Sequence, residues 1–399
     1  RAMTAIKPKY LCAAVLFAHA GMAGAATLEE RVAELENKLE HSGGNSQITF
    51  GGFIKADTIY SKYSDGEEAS AAIGEDFMVP STIPVAGEEG SGKLHMHAKQ
   101  SRFWLKSVTR TPVGDVKGHI EIDFQTTGLG DERITNSYAP RIRHAYLSWD
   151  KWLFGQTWST FFNVSALPET LDFVGAAGTV FERQPQIRYT SGPIMLALEN
   201  PSTTLYGGTE NPYDDNGVPD VVLRYNLTGE WGNVSLSGMG RELAYQDNIG
   251  GQDRDESEYG YGLALAGKMM LGEMDDVRFQ LNYGNAIGRY HTLNAFRSGQ
   301  IEADGDIELI DQWSAVLALH HNWNDRWRSN FAVSMSEADN PETVAGTTNE
   351  TVQSAHANLI WQVAKPLSLG GELIYAERET EAGDNGDLKR VQFTAKYAF

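Results

Sequence analysis

The sequence predicts an all-β protein: a sixteen-stranded antiparallel transmembrane β-barrel behind a short N-terminal periplasmic helix, a coiled-coil stub. Three observations carry that prediction. From Ile48 onward the apolar residues recur with a period of two, the signature of strands with one apolar and one wet face. Connections between these segments alternate between short turns and long polar loops. Aromatic residues gather beside the short turns.

Composition narrows the class further. The 399 residues carry 33 Lys+Arg against 53 Asp+Glu, a formal net charge of −20. A chain so acidic does not suit nucleic acid, whose binding rests on Lys and Arg neutralising phosphates. The single cysteine, Cys12, rules out a disulfide framework and a thiolate zinc cluster. Mean hydropathy is −0.37, which a barrel permits because its strands alternate instead of running apolar throughout.

At the N-terminus, Lys7 and Lys9 precede the apolar run from Tyr10 to Ala18, and Ala23-Gly24-Ala25 follows. Basic start, short apolar core and small residues describe a secretory signal peptide over residues 1–25, carrying Cys12 with it. Residues 26–46 read as the periplasmic stub and linker. Leu28, Val32, Leu35 and Leu39 form a heptad seam too short for a stable isolated coiled coil. Residues 47–399 make the barrel.

Within it, Val116, Gly118, Ile120 and Ile122 alternate with Lys117, His119, Glu121 and Asp123, and Phe103 and Leu105 alternate with Arg102, Trp104 and Lys106. The last strand repeats the pattern, with Val391, Phe393, Ala395 and Tyr397 on one face. Short turns are expected around Val113, Asp150, Gly192, Gly229, Glu273, Asp325 and Pro366. Long loops are expected at 64–92, 128–138, 160–184, 204–217, 247–257, 291–308, 340–350 and 381–386. Seven short and eight long connections imply sixteen strands with both termini on the short-turn side. Trp149, Trp152, Trp231, Trp323, Trp327 and Tyr397 then form the interfacial girdle.

The third long loop, about 160–184, is too apolar to be solvated: it holds Phe161, Phe162, Leu167, Leu171, Phe173, Val174, Val180 and Phe181. It is expected to fold against the inner wall and narrow the lumen. Arg102, Lys106, Arg141, Arg143 and Arg188, with Arg183 at the loop's end, share the lumen-facing parity of their strands. On the lipid face each would cost about 2–4 kcal/mol near mid-membrane. They are expected to form a basic ladder facing water, opposed across the pore by Glu169, Asp172 and Glu182.

Gly155-Gln156-Thr157-Trp158-Ser159, Leu167-Pro168-Glu169-Thr170-Leu171-Asp172-Phe173 and Arg183-Gln184-Pro185-Gln186-Ile187-Arg188-Tyr189 resemble the DcaP-type porins of Gram-negative bacteria. The opening Phe50-Gly51-Gly52-Phe53-Ile54-Lys55 and the closing Lys396-Tyr397-Ala398-Phe399 are similar as well. The resemblance implies a homotrimer of sixteen-stranded barrels in the cell outer membrane. It also implies a preference for small anionic solutes such as dicarboxylates, and no catalytic activity. Acidic groups in the long loops are expected to meet divalent cations bridging lipopolysaccharide, leaving selectivity to the ladder.

Other chemistries find little support. Gly87 to Lys93 approaches a phosphate-binding loop, but Leu94 stands where Ser or Thr is required. His95 and His97 share a strand face and could hold a metal, yet no third ligand stands at suitable spacing in sequence. No cofactor motif is present. A barrel hydrolase with residues assembled across strands, or a non-conducting adhesion or structural barrel, remain the alternative classes. The latter would show a plugged lumen and no conductance.

Overall fold

The structure, a computed structural model, describes residues 46–69, 72–126, 135–207 and 216–399. The signal peptide expected over 1–25 and all but Ser46 of the stub and linker expected over 26–46 lie outside the described residues, as do parts of the first, second and fourth long loops.

Sixteen antiparallel strands form the wall. In chain order they are β1 (Ser46–Tyr63), β2 (Lys93–His97 continuing as Arg102–Thr111), β3 (Gly114–Asp123), β4 (Arg141–Trp149), β5 (Trp152–Trp158), β6 (Arg183–Ser191), β7 (Ile194–Glu199) and β8 (Asp220–Gly229). They continue as β9 (Gly232–Ile249), β10 (Gln252–Leu271), β11 (Asp275–Gly284), β12 (Asp311–Asn324), β13 (Trp327–Asp339), β14 (Asn349–Ala364), β15 (Leu367–Thr380) and β16 (Asn385–Ala398). Each pairs with its sequence neighbours, and β1 pairs with β16 from Phe53↔Ala398 to Tyr63↔Leu388. That last ladder closes the barrel, so among the described residues no strand of the wall is left as an edge. Among the described residues no helix is long and apolar enough to cross a membrane; the strands are the crossing elements.

The predicted alternation sets the faces. Along β3, Ile120 is 54% exposed while its neighbour Glu121 is 8% exposed. Along β16, Phe393 is 61% exposed and Gln392 fully buried. The outer surface is thus an apolar belt, and the polar positions turn inward onto loops that enter the lumen. All seven short turns lie where the sequence places them. Trp149, Trp152, Trp231, Trp323, Trp327 and Tyr397 are exposed beside them. Trp327 and Trp361 stack on adjacent strands with ring centroids 5.6 Å apart.

One long connection is corrected. The span 247–257 is not a loop: β9 and β10 continue through it, with Asp247 opposite Arg254 and a two-residue turn at Gly250-Gly251. Both glycines have positive φ, 59° and 87°, the conformation such a hairpin turn demands. The other loops are L1 (64–92), L2 (124–140), L3 (159–182), L4 (200–219), L6 (285–310), L7 (340–348) and L8 (381–384). L1 carries the single-turn helix α1 (Ile73–Asp76). Leu205–Tyr206, Gly299–Ile301 and Ile307–Leu309 join L4 to L6 as a small sheet.

Candidate functional site

L3 lines the lumen because its apolar side chains find apolar partners on the inner wall. Phe161 and Phe162 pack with Val222, Met239 and Ala264 of β8, β9 and β10. Ala176 packs with Val316, Ala318 and Ala332 of β12 and β13. Val174 packs with Phe77 and Val79 of L1.

Backbone groups of a loop inside a barrel need partners, and the inward polar positions of the far wall supply them. Glu372 accepts the Leu171 N–H at 2.5 Å, and Lys55 Nζ and Gln392 Nε2 donate to the Leu171 carbonyl at 2.7 and 2.9 Å. Ser354 accepts from Ala177 N–H at 3.0 Å, Gln280 accepts from Val180 N–H at 3.2 Å, and Ser314 donates to the Gly178 carbonyl at 2.9 Å.

Three arginines fasten L3 in a further way, and a fourth, Arg188, holds the end of β5 just before it. Arg188 of β6 donates to the Trp158 carbonyl at 2.5 Å, Arg224 of β8 to the Phe162 carbonyl at 2.7 Å, and Arg278 of β11 to the Leu167 carbonyl at 2.6 Å. Arg328 of β13 grips the Glu169 carboxylate with bonds of 2.8 and 2.6 Å. Sequence reasoning missed Arg224, Arg278 and Arg328. Their inward parity could have flagged them, although nothing local shows which part of L3 they reach.

L3 therefore covers the wall from β7 round to β1 and leaves β2 to β6 facing it. The predicted basic residues lie on that uncovered wall. Arg141 makes two bonds of 2.9 Å to Asp123. Arg143 bonds Glu121 at 2.8 Å and Asp123 at 3.0 Å, and Arg102 lies 3.4 Å from Glu121. Arg183 stands over the Trp158 ring at 4.4 Å and the Phe181 ring at 5.3 Å. Its buried Nη1 has no hydrogen-bond partner among the described residues. Arg141 and Arg143 lie 5.5 and 5.4 Å from the Phe173 ring. The uncovered wall thus sets four guanidiniums and two carboxylates against an aromatic face of Trp158, Phe173 and Phe181, and among the described residues no carboxylate forms an ion pair with Arg183.

Three placements differ from the expected ladder. Arg143 is 2% exposed, so it is an internal ion-pair member and does not face open water. Lys106 stands apart from the guanidinium cluster, over the Trp104 ring at 4.7 Å, and Arg188 is committed to the Trp158 carbonyl of β5 and to Gln186. Lys396 joins instead, sharing the Phe53 ring with Arg102 at 4.3 and 5.1 Å.

The acidic residues of L3 are each engaged elsewhere. For Glu169, burial favours the neutral acid, but the Arg328 hydrogen bonds and charge outweigh it and hold the carboxyl below its ordinary value. Asp172 is enclosed between loops, accepting from the N–H groups of Met78, Val174 and Gly175 at 2.8, 3.1 and 3.0 Å; burial pushes its carboxyl up. Glu182 lies 3.5 Å from Arg289 of L6, and burial raises it against that positive charge.

The acidic first loop is also partly neutralised from within. Lys62 pairs with Glu89 at 2.6 Å, Lys93 pairs with Glu75, and Lys99 reaches Asp76 at 2.8 Å. Those lysines belong to the flanking strands and the β2 interruption, which is why the loop read alone looks uniformly negative.

No curated protein matches the chain in sequence. Among solved structures, the outer membrane channel DcaP of Acinetobacter baumannii is similar, with a TM-score of 0.75, 24% identity, and 90% of this chain and 98% of that chain covered. An anion-selective porin from Comamonas acidovorans is similar at a TM-score of 0.52 and 12% identity, covering 89% of this chain and all (100%) of that one. OmpT of Vibrio cholerae, in a form lacking its loop L8, gives the same score, identity and coverage. The family model of the DcaP outer membrane protein matches residues 16–399, and the chain belongs to that outer-membrane family.

Proposed function

We propose that the protein is a passive outer-membrane channel whose constriction favours small anions, dicarboxylates among them, and that it works as a homotrimer with the 26–46 stub in the periplasm. The observation that carries the anion preference is Arg183. It is a guanidinium at the narrowing of the lumen, stacked on Trp158 and Phe181, with no carboxylate bonded to it among the described residues. Arg102, Arg141 and Arg143 share Glu121 and Asp123, so the cluster as a whole keeps a positive surplus. A forked guanidinium pairs with a carboxylate through two parallel bonds and stays charged at all working pH values. The aromatic platform engages the flat face of the group and not its donor edge. Passage requires a station strong enough to admit the anion and weak enough to release it; one partner-free arginine beside paired ones meets both demands.

Liposome swelling tests this reading. Arg183→Ala should slow entry of a dicarboxylate several-fold while a neutral sugar of similar size enters as before. Equal slowing of both solutes would mean that Arg183 only shapes the pore.

A further inference from the structure

The chain brings together a second set of side chains for which anion passage has no use. His95 and His97, two residues apart on β2, point to the same inner face and are 8 and 9% exposed, while Leu94 and Met96 between and before them face outward at 62% each. In sequence the pair lacks a third ligand. The fold supplies one from L1: Asp76, the last residue of α1, is 3% exposed and its carboxylate lies 2.9 Å from His95 Nε2. His97 Nε2 sits 3.1 Å from the main-chain carbonyl of the same aspartate. One donor atom from each of the three residues falls within 4.8 Å of the other two.

We propose that Asp76, His95 and His97 form a binding site for a divalent transition-metal ion of the zinc class. Two imidazole nitrogens and one carboxylate oxygen are the donors such an ion takes in its three-protein-ligand sites, with bonds of about 2.0–2.2 Å and an open fourth position. Two nitrogen donors also select against calcium and magnesium, which take oxygen ligands. Without metal, a proton joins His95 Nε2 to the Asp76 carboxylate, the same atoms that a metal would bridge, while His97 bonds the Asp76 main-chain carbonyl.

Two features of the surroundings bear on this. Lys99 Nζ lies 2.8 Å from both Asp76 carboxylate oxygens, a positive charge where the ion would bind. The same ammonium also stands 4.2 Å from the Tyr138 ring, so it has a second partner when a metal takes the carboxylate. Access is provided by an open cavity of about 420 Å³ lined by His97, Lys99, Phe124, Asn136 and Tyr138. The site is also coupled to the constriction. Phe77, the residue after Asp76, meets Phe173 with ring centroids 5.2 Å apart, and Phe173 is the ring against Arg141 and Arg143. A bound ion would fix L1 on β2 beside the Phe173 ring and the arginines it meets.

Calorimetric titration of the detergent-solubilised protein with Zn2+ is the test, with folding of each variant checked by its heat-modifiable migration on gels. The parent should bind one ion per chain at this site, with Ca2+ and Mg2+ failing to compete. His97→Gln should weaken binding at least about tenfold, the smallest loss expected when a direct ligand goes, given that partners one shell further out already cost 10–100-fold. Lys99→Met keeps both histidines and removes the competing charge, so it should tighten binding. Zinc affinity unchanged by His97→Gln, or no zinc binding in either the parent or Lys99→Met, would overturn the assignment.

Discussion

Arg143 and Arg183 belong to one cluster and do opposite things. Arg143 is buried between Glu121 and Asp123, and it links the two carboxylates that Arg102 and Arg141 each hold from one side. Removing one member of a buried ion-pair network leaves the remaining charge uncompensated, a loss of about 3–5 kcal/mol. Arg143→Ala should therefore lower the temperature at which the barrel unfolds on heated gels by many degrees. Arg183→Ala should leave it nearly unchanged, since among the described residues no carboxylate is bonded to Arg183. Equal thermal effects would mean that both arginines are structural. This distinction was not legible in the sequence. Parity places both side chains in the lumen, but which of them meets Glu121 depends on the pairing of β3 with β4. The cluster's membership was legible for Arg102, Arg141, Arg143 and Arg183. The role of Lys396 was not, because it arrives from the far end of the chain across the β1–β16 closure.

At the scale of the element, L3 was legible as an inward loop from its apolar residues alone. The way it is held was not, because its partners Glu372, Ser354 and Gln280 stand roughly one to two hundred residues away in sequence. The β9–β10 extension was misread for a different reason. Polar residues there face water on both sides, so the alternation fades although Gly250-Gly251 still marks the turn. L3 also rests on L6, where Val180 pairs with His291. Burial lowers the His291 imidazole to about 4. A base whose folded value lies below its unfolded value of 6.5 binds fewer protons when folded. The L3–L6 contact is then fully stabilised above pH 6.5 and loses stability as the pH falls from there towards 4. The loss amounts to about 3 kcal/mol at the lower end, taking ~1.36 kcal/mol per unit. Single-channel recordings should show current noise rising between pH 6.5 and 4.5, and His291→Gln should remove that pH dependence. Noise that rises equally in the variant would place the titrating group elsewhere.

For the whole molecule, the closed ladder and the apolar belt determine stability. The outward faces of β1 and β2 carry Ile48, Phe50, Leu94, Met96, Phe103 and Leu105 in the exposed belt, ample apolar surface for a neighbouring barrel. A heptad seam of four residues is too short to hold chains together alone. Deleting residues 26–46 should leave the unboiled oligomer band in place, whereas a monomer band would show that the stub drives assembly. The barrel class itself was readable from alternation and connection lengths because membrane and water impose the same period on every strand. The sign of selectivity depends instead on how acidic loops and inward arginines combine, and that sum exists only in the folded lumen. Reversal potential across a bilayer holding asymmetric KCl measures it directly. The account predicts an anion-selective potential for the parent that moves towards zero in Arg183→Ala. A cation-selective potential in the parent would contradict it, and would assign the field to the acidic mouth.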